Sequence, residues 1–81
     1  MPNVNLFFGL FFVVDLKTIG HNIAKIRISK NMSARELSFQ LGKNGDYMYK
    51  VESGKFNVGI QTLFNICKIL EVDIVDILEE E

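Results

Sequence analysis

The chain has 81 residues, 48% of them hydrophobic, and a formal net charge of −1. That is enough for one domain with a real core and too little for two. A single cysteine, Cys67, excludes an intrachain disulfide, and one histidine, His21, with no Cys/His cluster, argues against a zinc site. This cysteine usage suits a reducing cytoplasm.

Residues 1–17 read as an apolar arm. The run from Leu6 to Val14 is too short to span a bilayer as a helix. No Lys or Arg precedes it and no small-residue cleavage site follows, so it is a poor signal peptide, and no membrane partner is expected. Its Phe and Val content favours a β-strand, with Gly9 as a bend or bulge. A lone strand leaves its backbone unpaired. The same segment of a second subunit could complete it across a dimer axis. The alternatives are an arm packed on the rest of the chain, or a disordered leader.

Residues 18–81 read as helical. Thr18 is the expected N-cap of a first helix over residues 19–30, with Ile19, Ile23 and Ile26 as its buried stripe and Ile28 off it. Asn31 and Met32 end it. Ser33 then caps a second helix, and Glu36 three residues on completes a capping box. Leu37 and Leu41 lie four apart and share a face, which Phe39 does not. Gly42 follows where a left-handed C-cap is needed. Asn44 is the expected N-cap of a third helix over residues 45–53, whose inner face carries Met48 and Val51. Ser38 is small and lies one turn before Gly42, where the two helices must approach closely. This describes a helix-turn-helix, although an ordinary αα-hairpin shares part of the pattern. Leu63, Ile66, Cys67 and Leu70 stripe a fourth helix that starts at Val58 or Gly59. Asp73 caps a fifth, with Asp76 in its first turn, Ile74, Ile77 and Leu78 inward, and a polar end at Glu79–Glu81.

The pieces IGHNIAKIR, MSARELSFQLG, YMYKVESGKFN and TLFNICKILEVDIVDIL, from Ile19 to Leu78, carry a more specific signal. In order and spacing they resemble the DNA-binding domain of the phage repressor/Cro (XRE) helix-turn-helix family. The resemblance implies an all-α, five-helix repressor-like domain behind the apolar arm. It implies that the third helix reads base edges in the major groove, with Asn44, Gly45, Asp46 and Lys50 at the reading positions. Asn suits adenine and Lys suits guanine. Asp46 can accept from cytosine or simply favour the helix N-terminus. Lys55 and Asn57 fall in the loop that in the family follows the sugar-phosphate backbone, and Arg35 and Lys43 are further phosphate candidates. Tyr47 and Tyr49 could reach phosphate or a thymine methyl, or could pack; Tyr49 is the more outward by spacing. The resemblance also implies an Arg27–Glu52 ion pair tying the first helix to the third, a packing role for Cys67, and a dimer contact at the fifth helix that competes with the arm.

The charge distribution agrees with a DNA partner despite the total. Residues 17–55 carry eight Lys and Arg against Glu36, Asp46 and Glu52, a local charge of +5; residues 56–81 carry Lys68 against six acids, a local charge of −5. Three positions depart from the family's wording: Ala34 replaces a phosphate-contacting glutamine, Asp46 puts a negative charge at the reading end, and Val58 replaces a common proline. Two readings follow. The first is a sequence-specific DNA-binding transcriptional regulator of double-stranded DNA, acting as a homodimer. The second is a protein-interaction module on the same scaffold, antitoxin-like or regulator-sequestering. No nucleophile–base pair, metal cluster or phosphate-cradling loop points to an enzyme, and no cofactor is expected.

Overall fold

The computed structural model of the protein describes residues 15–79. Residues 1–14, on which the strand and dimer-ribbon expectations fall, lie outside that range, as do Glu80 and Glu81. The described residues form five helices and no strand: α1 (Leu16–Ser29), α2 (Ala34–Gln40), α3 (Tyr47–Glu52), α4 (Ile60–Leu70) and α5 (Ile74–Leu78). None is long and apolar enough to cross a membrane.

The first helix begins earlier than expected. Asp15, not Thr18, is its N-cap, and the Asp15 carboxylate accepts a hydrogen bond from the Thr18 backbone N–H at 2.8 Å. Residues 15–17 therefore open α1 rather than close the arm. Both residue types can cap. Asp15 wins because an N-cap side chain bonds the amide three residues on, and an accepting carboxylate also suits the positive end of the helix. That bond holds the Asp15 carboxyl below its ordinary range. At the other end Asn31 turns left-handed, with φ 58°. Its N–H then bonds the Ile28 carbonyl and the Met32 N–H bonds the Arg27 carbonyl, at 2.9 and 3.2 Å. These are the two bonds of a Schellman stop.

The expected Ser33 cap of α2 is present, with the Ser33 hydroxyl accepting from the Glu36 N–H at 3.0 Å. Gly42 ends the helix with φ 77°, and the Lys43 N–H returns to the Ser38 carbonyl at 2.9 Å. α4 is preceded by Gly59, so it starts at Ile60. It stops at Glu71, which adopts φ 61° without being glycine. In α5, Asp76 bonds back to the Asp73 N–H at 3.0 Å, the returning half of a capping box.

All five helices meet in one core. Ile23 of α1, Leu37 of α2, Met48 of α3, Ile66 and Leu70 of α4 and Ile77 of α5 are fully buried. Each such side chain removed from water contributes about 1.5–3 kcal/mol. Cys67 lies in the same cluster, and burial pushes its thiol pKa up, so it stays a protonated packing group. Ile28, off the stripe, is exposed. α5 is fastened from α1: the buried Asn22 amide donates to the Ile77 carbonyl at 3.0 Å and to the Glu79 carbonyl at 2.6 Å.

Candidate nucleic-acid interface

The pair α2–α3 is joined by a turn over residues 41–46, and Ser38 sets its spacing. The Ser38 hydroxyl donates to the Ala34 carbonyl at 2.8 Å and accepts from the Met48 N–H at 2.9 Å. One fully buried hydroxyl thus satisfies an amide in the first turn of α3 that has no helical partner. A larger side chain would hold the two helices apart.

α3 is also braced from α1. The Arg27 guanidinium donates two hydrogen bonds to the Glu52 carboxylate, Nε to Oε2 at 2.8 Å and Nη2 to Oε1 at 2.9 Å, and a third from Nη1 to the Met32 carbonyl at 2.8 Å. The Glu52 bond, above all, holds Arg27 further above its ordinary pKa. A planar fork on a carboxylate fixes direction as well as distance. Beside it, Gly20 lets α1 approach the α3 backbone: a Cβ there would lie 2.7 Å from the carbonyl oxygens of both Val51 and Glu52. Nothing local marks Gly20, because its neighbours are backbone atoms more than thirty residues away.

The outer side is built differently. Asn44 is not the N-cap of α3. The helix starts at Tyr47 behind Asp46, with no side-chain cap bond, and the Tyr47 N–H bonds the Asn44 carbonyl at 3.1 Å. α3 is therefore shorter than the expected span of residues 45–53. Asn44, Gly45 and Asp46 lie in the turn ahead of it, and Lys50 projects from the helix. Asn44, Asp46 and Lys50 share the rim of one open concavity of about 360 Å³ with Gly42, Lys43, Tyr47 and Phe56. Lys50 and Asp46 pair weakly across one turn at 3.8 Å, both mostly exposed.

Aromatic rings organise the cations here. Lys43 Nζ lies 5.2 Å from the Tyr47 ring centre, and Tyr47 meets Phe56 edge to face at 5.5 Å. On the neighbouring side the Arg35 guanidinium covers Phe39 at 5.1 Å. Gly45 makes room for it, since a Cβ there would come 2.8 Å from an Arg35 nitrogen and 3.2 Å from Phe39. Phe39 is half exposed, and Tyr49, Lys55 and Asn57 face solvent. Ala34, at the position where the family has an outward glutamine, is itself buried in the core, and Val58 packs against that core. The concavity gathers Asn44, Asp46, Lys50, Lys43 and Tyr47. It does not include Gly45, Arg35, Tyr49, Lys55 or Asn57. Phe56 was not singled out from the sequence. The one signal for it was an aromatic ring in a loop next to Lys55.

A family model of the Cro/C1-type HTH DNA-binding domain matches residues 22–81. The chain belongs to this family. Solved structures agree with the Cro/C1-type fold. The restriction-modification controller protein C.AhdI from Aeromonas hydrophila is similar at a TM-score of 0.72 and 25% identity, over 78% of this chain and 91% of that one. The hypothetical transcription factor NHTF from Neisseria is similar at 0.74 and 26%, over 80% and 76%. The clp gene regulator ClgR from Corynebacterium glutamicum shares the fold at 0.73 and 24%; the match covers 76% of this chain and 66% of the ClgR chain. No curated protein matches. Membership in the Cro/C1-type family makes this a DNA-binding helix-turn-helix domain, and transcriptional regulation is its family role.

Proposed function

We propose that the domain is a sequence-specific transcriptional regulator that sets α3 and the turn before it into the major groove of duplex DNA. The observation that carries this reading is the convergence of Asn44, Asp46 and Lys50 on one concavity, beside a helix whose inner side is locked to α1 and α2. Asn44, Asp46 and Lys50 would face base edges, and Gly45 leaves room beside them for the Arg35 guanidinium. Arg35, Lys43, Tyr49, Lys55 and Asn57 surround them as phosphate contacts, while the Tyr47 ring lines the concavity between them. The Arg27–Glu52 pair acts from behind by fixing the angle of α3.

The similarity to C.AhdI and NHTF supports the regulatory role. A homodimer would place two such helices on successive turns of the groove. A mainly apolar groove of about 600 Å³ between α4 and α5, lined by Phe64, Cys67, Val72, Ile74 and Val75 with Lys68 and Asp73, supports the α5 side as its contact. Deleting residues 1–14, which spares the Asp15 cap, leaves the solution mass of a dimer unchanged on this reading. The same groove is what favours the second reading, a protein-interaction module.

Binding-site selection from random duplexes, with Lys50→Ala alongside, tests the first reading. A recovered motif that Lys50→Ala relaxes at one position is expected. Affinity for the motif should fall steeply with salt, as counterion release requires. Binding that ignores both sequence and salt would replace this reading with the second.

A further inference from the structure

The concavity at the reading head mixes groups that a phosphate would not choose. Asp46 sits on its rim and would repel an anion, and Lys50 is already turned toward that carboxylate. Between them the wall is aromatic: Tyr47 is half buried, Phe56 stands edge-on to it, and Phe56 remains 40% exposed. Phe56 lies outside the core cluster, so its exposed face is not needed to close the fold. Lys50 and the Asn44 amide supply hydrogen-bond donors at the same rim. An apolar wall beside neutral and cationic donors matches one base edge in the major groove. Thymine alone presents a carbonyl acceptor, O4, next to a methyl group at C5.

We propose that Phe56, with Tyr47, forms a thymine-methyl subsite, and that Phe56 is a specificity-determining residue for an A·T pair at the position where Lys50 or Asn44 donates to O4. This rests on the DNA-reading role proposed above. Phe56 comes from the loop after α3, so that loop would read sequence as well as follow the backbone. The Tyr47 ring, held edge-on by Phe56 and covered by Lys43, keeps the wall in place.

The experiment takes the duplex recovered by site selection and replaces its thymines one at a time with uracil, which removes only the C5 methyl. Binding is measured by fluorescence anisotropy for the wild type, Phe56→Ala and Phe56→Leu, each checked for native helicity by circular dichroism. One position should weaken the wild type about fourfold, the worth of one buried methyl. The same replacement should change Phe56→Ala less than about twofold, with Phe56→Leu between them. If Phe56→Ala does not fold, the wild type and Phe56→Leu carry the comparison. Equal uracil sensitivity in wild type and variants overturns the subsite while leaving the regulator reading intact. Failure to recover any motif overturns both.

Discussion

On the inner side of α3, Met48 is fully buried, Val51 is 2% exposed and the Glu52 carboxylate is held by two hydrogen bonds. On the outer side of the same six residues, Tyr49 is 60% exposed and the Lys50 ammonium lies 3.8 Å from Asp46, at the limit of a salt bridge. One side is over-determined by hydrophobic packing, a serine hydroxyl, a guanidinium fork and a close backbone approach. The other, at Tyr49 and Lys50, carries only one loose ion pair among the described contacts. The residues that orient the helix are thus not those proposed to read DNA, so the outer side can change its chemistry without disturbing how the helix is presented.

Changes to the inner side should break that separation first. Glu52→Ala leaves the mostly buried Arg27 unpaired and should cost about 3 kcal/mol of stability, seen as a lower urea midpoint. The double change Arg27→Met with Glu52→Leu should recover most of the loss, because an apolar pair of similar size removes the stranded charge. Gly20→Ala forces a Cβ onto two carbonyl oxygens of α3 and should cost about 2 kcal/mol; because it also shifts the helix, it should weaken DNA binding in molecules that remain folded. On the outer side, Tyr49→Ala should stay within about 0.5 kcal/mol of the wild type in the same urea titration. A large loss there would mean that the outer side is structural after all.

The smallest effect is a pH effect at Asp15. The Thr18 amide holds the Asp15 carboxyl below its ordinary range in the folded chain. A depressed carboxyl stabilises the fold above its unfolded pKa and loses that contribution as pH falls through its folded pKa. The stability difference between wild type and Asp15→Asn should therefore be constant near neutrality and shrink as the solution is acidified below about pH 4. A difference that does not change with acid would deny the carboxylate its capping role.

Much of this arrangement could be read from residues close together in the chain. Leu37, Leu41 and Gly42 announce a helix and its stop, Ser33 with Glu36 announces a start, and Met48 with Val51 marks an inner face. Cap positions were harder. Asp15 and Thr18, or Asn44 and Asp46, are pairs of cap-capable residues within three positions of each other, and the choice depends on where the first helical turn settles. Contacts between distant segments and backbone atoms left no local trace. Gly20 packs against carbonyls of residues 51 and 52, and Asn22 bonds carbonyls of residues 77 and 79. At the candidate interface, family spacing named Asn44, Asp46 and Lys50, which share one concavity. The aromatic wall of Tyr47 and Phe56 was not legible, since it forms only when the loop after α3 folds back.

Asn22 also bears on the order in which the domain assembles. α5 has five residues, too few to nucleate a stable helix alone. The Ile77 carbonyl within it and the Glu79 carbonyl just after it are held by a side chain 55 and 57 residues earlier in the chain. Docking of α5 on the back of the molecule therefore relies on α1 being in place. On a ribosome, the residues of the helix-turn-helix would emerge before the five that close over Asn22.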